Sequence, residues 1–306
     1  MSMGMGDGAP PRPGPGSGEP VPILMYHALA HRPAPSVRAL SVAPEAFAEQ
    51  MALLGERGFT PLTTAALAAV WRGHGQLPAR PVLITFDDGY EGVHRHALPA
   101  LAQHGFAATL FVSTGWLRGP YDEGGALDTM LDWDQVRQLA AGGVEIGGHS
   151  HTHPRLDQLD GGRLGHETAR CREIVAAELG AAPVSFAYPY GYSTRRVRRA
   201  VRAAGFEQAL AVGNALARRG QGPYALKRVT VRRSTGIGEF ARLIDGRGLG
   251  GLFAADRALT KTYAVVRAVR RAGRPLDRGT DFVRGPSGGL PARPAIEDNT
   301  RSPSGD

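Results

Sequence analysis

Residues 81–90 read PVLITFDDGY. An unbroken apolar run, rich in β-branched residues and showing no polar alternation, leads straight into two adjacent carboxylates and a glycine. A strand that is apolar on both faces belongs in a sheet covered on both sides, which means parallel strands with helices packed over them. Further short runs read as strands are PILMY at 22–26, AATLFVS at 107–113, VEIGG at 144–148, VSFAY at 184–188, QALAVG at 208–213 and ALKRVTV at 225–231. Seven strands are expected.

The intervening stretches carry helical periodicity. From Pro44 to Arg57, Phe47, Met51 and Leu54 fall on one face, Pro44 suits a first turn and Gly58 suits a stop. Further helices are expected after Glu91, Trp133, Gly162 and Thr194. Strands alternating with amphipathic crossovers make an α/β fold, and seven units in about 225 residues favour a closed or nearly closed (β/α)7-8 barrel of parallel strands. An open doubly wound sheet is the alternative.

The two ends of the chain differ from this core. Eleven of the first twenty residues are Gly or Pro, and residues 274–306 are again rich in Gly, Pro and Ser. The expected organisation is therefore a disordered tail over 1–20, one domain over 21–245, a basic amphipathic helix over 246–273 and a disordered tail over 274–306. In that helix Leu259, Tyr263 and Val266 form a stripe bordered by Arg257, Lys261, Arg267, Arg270 and Arg271, which suits packing against the barrel or lying on a membrane surface or partner.

The net charge of +8 is unevenly placed. Residues 1–193 hold 13 Lys and Arg against 19 Asp and Glu, whereas residues 194–306 hold 23 against 9. The basic third can attract an anionic membrane or a lipid-linked glycan through its general field. Nucleic acid is not expected as a partner, because no aromatic platform is interleaved with Arg195, Arg196, Arg198, Arg199 and Arg202. Arg195 and Arg196 follow the PYG turn, where they would line the mouth of a site. The single Cys171 forms no intramolecular disulfide. No apolar run approaches 18 residues, and the first twenty lack the basic start and apolar stretch of a secretory signal, so a cytoplasmic or inner-membrane-surface location is expected.

Unusual polar residues fall just after strand ends: His27, Asp87 and Asp88, His149 and His153, Tyr190 and Gly191. In a parallel barrel these ends share one rim, where such folds build active sites. Asp88, His149 and His153 supply one carboxylate and two imidazoles, the number of N/O ligands a catalytic zinc takes while leaving a position open. Zn2+ is the default, and Co2+, Ni2+ or Fe2+ accept the same donors. His151 is expected to point elsewhere. Asp87 is left to act as a base, and the PYG turn at 189–191 can present the Tyr190 N–H to an oxyanion.

TFDDGY (85–90), HSHTHP (149–154) and YPYG (188–191), in that order, resemble the motifs of the polysaccharide deacetylases, the carbohydrate esterases with a NodB homology domain. The resemblance spans about residues 22–245. It implies a deformed (β/α) barrel that uses one divalent metal to remove acetyl groups from N-acetylated, and in some members O-acetylated, sugars. By resemblance Asp87 is the general base, Asp88, His149 and His153 hold the metal, Tyr190 contributes to the oxyanion hole, and Trp133 walls the sugar site. Two positions depart from the family pattern. An Arg two places before the Pro of PYG is replaced by Ala187, for which Arg228 is the candidate substitute, and no His follows His166. PILMYH at 22–27 resembles a circularly permuted branch, the exopolysaccharide deacetylases, in which the late His arrives early. That makes His27 the expected general acid. The competing reading is a carbohydrate-binding protein of the same fold without catalysis. A phosphatase using an aspartyl phosphate is disfavoured, because its two acids stand one residue apart rather than adjacent.

Overall fold

A computed structural model describes residues 19–256 and Ala258. Residues 1–18, the 274–306 tail and the Leu259, Tyr263 and Val266 stripe expected within 246–273 lie outside the described residues.

The seven expected strands are all present: β1 (Ile23–Tyr26), β3 (Pro81–Phe86), β4 (Ala108–Val112), β5 (Val144–Gly148), β6 (Ser185–Ala187), β7 (Gln208–Val212) and β8 (Leu226–Thr230). An eighth, β2 (Thr60–Leu62), was not anticipated, since TPL is too short to show a period. Every ladder is parallel. β1 pairs with β8 (Leu24 opposite Val229) and with β3 (Ile23 opposite Leu83), so β1 and β3–β8 form a closed seven-stranded barrel. β2 adds to the first half of β3, with Thr60 opposite Pro81. Closure by β1 rules out the open doubly wound sheet.

Helices fill the crossovers. α1 (Pro44–Glu56) buries Phe47, Met51 and Leu54, the face its spacing predicts, and the chain reverses at Gly58 with φ +66°. α2 (Thr64–Trp71) follows β2, and α3 (Leu98–His104) is entered through a wide π-type turn at Val93–Ala97. α4 (Trp133–Ala141) opens with a capping box between Asp132 and Gln135, worth about 1 kcal/mol. α5 (Gly161–Leu179) and α6 (Arg195–Ala203) are capped by Asp160 and Thr194, and α7 (Ile237–Ile244) returns against α1. Phe47, Met51, Val93, Val136, Ile174 and Phe240 join one core between helices and sheet. Each such side chain contributes about 1.5–3 kcal/mol by leaving water. No helix among the described residues is long and apolar enough to cross a membrane.

α2 stops the N-terminal end of the barrel. Its Leu67, Val70 and Trp71 pack with Ile23, Leu83, Phe111, Leu210 and Leu226 from the strands. Side chains at the starts of β4–β7 tie down its first turn. The Thr64 hydroxyl and the Ala65 N–H donate to the Glu145 carboxylate at 2.7 and 2.9 Å, Ser185 donates to Glu145 at 3.0 Å, the Thr64 N–H donates to Thr109, and the Gln208 amide donates to the Thr64 carbonyl. The strands' other ends stay free to build a site.

Candidate metal centre

Leu83, Thr85 and Asp87 alternate into the barrel along β3, so Asp87 emerges at its C-terminal mouth. Arg228 of β8 meets it there, wholly buried: its two terminal nitrogens donate to the two Asp87 oxygens at 2.6 and 2.7 Å, and one also reaches Thr85 Oγ1 at 3.3 Å. Below, the guanidinium carbon lies 5.6 Å from the Phe111 ring centre. That ring has room because residue 147 is glycine, where a Cβ would stand 2.5 Å from it. Burial alone would raise the Asp87 carboxyl, yet the Arg228 charge and hydrogen bonds, with His149 and His27, hold it below the usual carboxylate value. Asp87 is thus an ionised acceptor in a fixed orientation.

Asp88 adopts φ +76° and is followed by Gly89 at +104°. This turn breaks the strand alternation, so both adjacent carboxylates serve the same mouth. Asp88 Oδ1 lies 3.2 Å from Nε2 of His149 and 3.2 Å from Nε2 of His153. The three donors are buried and stand within 4.8 Å of one another. The His149 Nδ1–H donates to the Ala187 carbonyl at 2.7 Å, which leaves the Nε2 lone pair aimed at Asp88. Asp88 Oδ1 has no hydrogen-bond partner among the described residues, although it is buried. A buried carboxylate oxygen facing two imidazole nitrogens favours a positive charge between them, a proton or a cation. Donors about 2.1 Å from one ion stand at most about 4.2 Å apart, and the two Asp88–histidine separations of 3.2 Å satisfy that limit. The group fits a divalent cation.

The same electrostatics appears in the titrations. Burial pushes the Asp88 carboxyl up, but His153, His149 and His27 bring it well below its ordinary value. Burial disfavours charge on His149, and Asp87 and Asp88 overcome this to raise it. His27, at the end of β1, is lowered by burial; Asp88 and Asp87 partly oppose that shift, and Arg228 and His149 add to it. Its Nδ1 is buried with no hydrogen-bond partner among the described residues. The structure therefore brings together His27, Asp87, Asp88, His149, His153 and Arg228, contributed by β1, β3, β5 and β8.

Other expected residues fall at varying distances from this group. Tyr190 sits in the Pro189–Gly191 turn with φ +58°; its ring is 4.8 Å from that of His153, stacks on Tyr192 at 5.8 Å and lies under Arg155. Trp133 is placed differently from the expectation. As the first residue of α4 it is 4% exposed, with its ring edge-on to Tyr121 at 6.0 Å, because the Asp132 cap turns it into the core. Trp116 stands on His153 at 4.5 Å, alongside Tyr190. Arg196, expected at the mouth, donates instead to the Leu156 and Leu159 carbonyls. His151 does point away, bonded to Thr114 at 2.8 Å and Glu123 at 2.9 Å.

Sequence reasoning missed Trp116, Tyr90 and Glu167. Tyr90 is buried beside Asp88; burial and the carboxylate push its phenol far above its ordinary value. Glu167 holds the backbone of the loop between the two histidines. Its signal was a carboxylate on the buried face of α5, among Leu164, Cys171 and Ile174.

Residues 74–209 match the family model described as polysaccharide deacetylase. His27 and Arg228 both lie outside that match. YxkH of Bacillus subtilis (strain 168), provisionally named a polysaccharide deacetylase, is 26% identical over 74% of this chain and 76% of its own length. The poly-beta-1,6-N-acetyl-D-glucosamine N-deacetylase of Escherichia coli (strain K12) is 25% identical over 68% of this chain, which spans 36% of that relative. Among solved structures, the deacetylase PplD of Streptococcus pyogenes superposes with a TM-score of 0.67 at 21% identity, covering 74% of this chain and 99% of the other. IcaB from Ammonifex degensii superposes with a TM-score of 0.61 at 24% identity, covering 74% and 97%. These two likenesses show the fold. Residues 74–209 thus resemble a polysaccharide deacetylase domain, and the chain is similar over about two thirds of its length to a poly-beta-1,6-N-acetyl-D-glucosamine N-deacetylase.

Proposed function

We propose that this protein is a metal-dependent hydrolase that removes acetyl groups from N-acetylated sugars of a polysaccharide or glycan precursor, with O-acetyl esters as accessible substrates. The observation that carries the reading is the orphaned Asp88 Oδ1 facing two histidine Nε2 atoms, beside an Asp87 clamped by Arg228. Asp88, His149 and His153 would hold the ion. When bound, a divalent cation supplies an acidified water and a Lewis-acidic contact for the acetyl carbonyl.

The chain's own residues do the rest. Asp87, kept ionised and aimed by Arg228, accepts the proton of the attacking water. The Tyr190 N–H, held in its left-handed turn, is assigned to the developing oxyanion. His27 gives a proton to the departing nitrogen as the carbonyl C–N bond breaks, yielding acetate and the free amine. His27 lies close enough to both carboxylates to feel their charge, which partly offsets the lowering by burial. The general acid matters more for an amine than for an alkoxide, which leaves with less help.

The test measures acetate released from N-acetylglucosamine oligomers and from an acetyl ester, with and without a chelator, alongside metal content. Acetate release that stops with chelator and returns with Zn2+ or Co2+ supports the reading. Deacetylation by protein freed of metal overturns it, and sugar binding without release establishes the non-catalytic alternative.

A further inference from the structure

We infer that Glu167 is a positioning residue that sets metal affinity by holding the turn between the two histidine ligands, an inference that rests on the metal reading of the site. His149 ends β5 and His153 comes four residues later. The turn between them puts Ser150 at φ +66° and His153 at φ +56°, both in the left-handed region that non-glycine residues seldom occupy. Each such residue costs about 1–3 kcal/mol and persists only where its surroundings over-determine it.

Glu167 supplies that determination. One of its carboxylate oxygens accepts from the backbone N–H of His151 at 2.9 Å and of Thr152 at 2.8 Å, and the other accepts the Thr152 hydroxyl. Its backbone carbonyl accepts from the His151 N–H as well, at 3.1 Å. The residue is 8% exposed and belongs to the buried face of α5, a rigid element packed on β5. A second brace, the Ser150 hydroxyl accepting the His153 N–H at 3.1 Å, acts within the turn itself. Glu167 ties the turn to α5, while the Gly115 and Thr114 N–H groups tie it to the loop after β4 through the His151 and Ser150 carbonyls at 2.8 and 3.4 Å. The carboxylate is an all-acceptor group facing three donors. Glutamine can turn its oxygen to the two backbone N–H groups and its NH2 to the Thr152 hydroxyl oxygen, whereas alanine removes the acceptor of the Thr152 N–H and hydroxyl.

The arrangement ties Glu167 to ion binding rather than to the chemical step, since it touches neither Asp87 nor His27 and acts through the position of His153 relative to Asp88. Support around ligands of this kind is worth about 10–100-fold in metal affinity. The experiment measures Zn2+ affinity of Glu167→Ala and Thr152→Val by competition with a chromophoric chelator, beside kcat on an acetylated oligomer at rising Zn2+ and the thermal midpoint of the metal-free proteins. The expected result is a dissociation constant raised about 10–100-fold in Glu167→Ala and less in Thr152→Val, with kcat restored at saturating Zn2+. Wild-type Zn2+ affinity in Glu167→Ala overturns the inference, as does lost turnover that Zn2+ fails to restore. If Glu167→Ala does not fold, Thr152→Val decides by the same two criteria. A wild-type chain that binds no metal sinks the proposed function instead, before either variant is compared.

Discussion

The two ends of the barrel handle buried polar groups in opposite ways. At the N-terminal end, Glu145 binds Thr64, Ala65 and Ser185, while Thr109 and Gln208 bind the same turn of α2. At the C-terminal end, Asp88 Oδ1, His27 Nδ1 and His153 Nδ1 are buried with no hydrogen-bond partner among the described residues, and two histidines converge on one carboxylate oxygen. Both ends place a carboxylate within a ring of strand-end side chains. At one end its donors come from α2 and β6, which makes it a stopper. At the other a buried carboxylate oxygen faces two histidine nitrogens without a hydrogen bond, which we propose makes it a receptor for an ion.

Substitutions at the two ends should therefore separate cleanly. The largest effect is expected at the ion group, where Asp88→Ala or His149→Ala abolishes metal content and activity together, whereas Asp87→Asn keeps the metal and loses about 10²–10⁴ in kcat. Metal analysis beside acetate release checks this, and metal retained in Asp88→Ala would break the comparison at its root.

Next is His27→Ala, which should lower amide hydrolysis by up to about 10²–10⁴ while sparing an acetyl ester much more. Equal losses on the two substrates remove His27 from the proton path.

Arg228→Met leaves the buried Asp87 carboxylate uncompensated and should cost about 3–5 kcal/mol of stability in denaturant titration. Its pH dependence has a definite sign. The Asp87 value is below that of an unfolded aspartate, so the clamp stabilises above about pH 4 and its contribution is lost as pH falls through the folded value. The gap between wild type and Arg228→Met should therefore narrow on acidification, and a gap independent of pH contradicts the clamp.

At the opposite end, Glu145→Gln should cost about 1–3 kcal/mol through imperfectly paired donors and leave kcat and metal content unchanged. A kcat effect there would show that the stopper and the receptor are coupled. The smallest effect concerns Cys171, wholly buried and with its thiol pushed up to about 12 by that burial. It should resist alkylation at pH 8 in native protein and react once the chain is unfolded.

Much of the receptor end was legible in the sequence because it lies where strands stop. A buried parallel strand is apolar throughout, so the first charged residue after it announces the rim, as Asp87 after PVLITF and His149 after VEIGG do. Arg228 was readable only as a candidate substitute for the arginine missing at Ala187, since Lys227 beside it carries the same charge. The stopper was less legible. β2 is three residues long and contains Pro61, and Glu145 looks like an ordinary polar position until Thr64 and Ala65 of α2 and Ser185 of β6 are brought to it. Trp133 and Trp116 show the limit most clearly. Both are lone tryptophans near the same loop, and only the Asp132 cap, which turns one into the core, separates them. Their sequence neighbourhoods did not encode which ring meets His153.

β1 both closes the barrel and carries His27, while β8, its neighbour on the other side, carries Arg228. Synthesis therefore delivers the proposed proton donor before, and the partner of Asp87 after, every other residue of the group. A nascent chain that has reached β5 and its following loop already contains all three ion-binding side chains, but the strand pairing that seats Arg228 has not yet formed. Competence to capture an ion can precede competence to turn over, and chains released before β8 would sequester metal with raw sheet edges exposed, which makes them targets for proteolysis rather than slow enzymes.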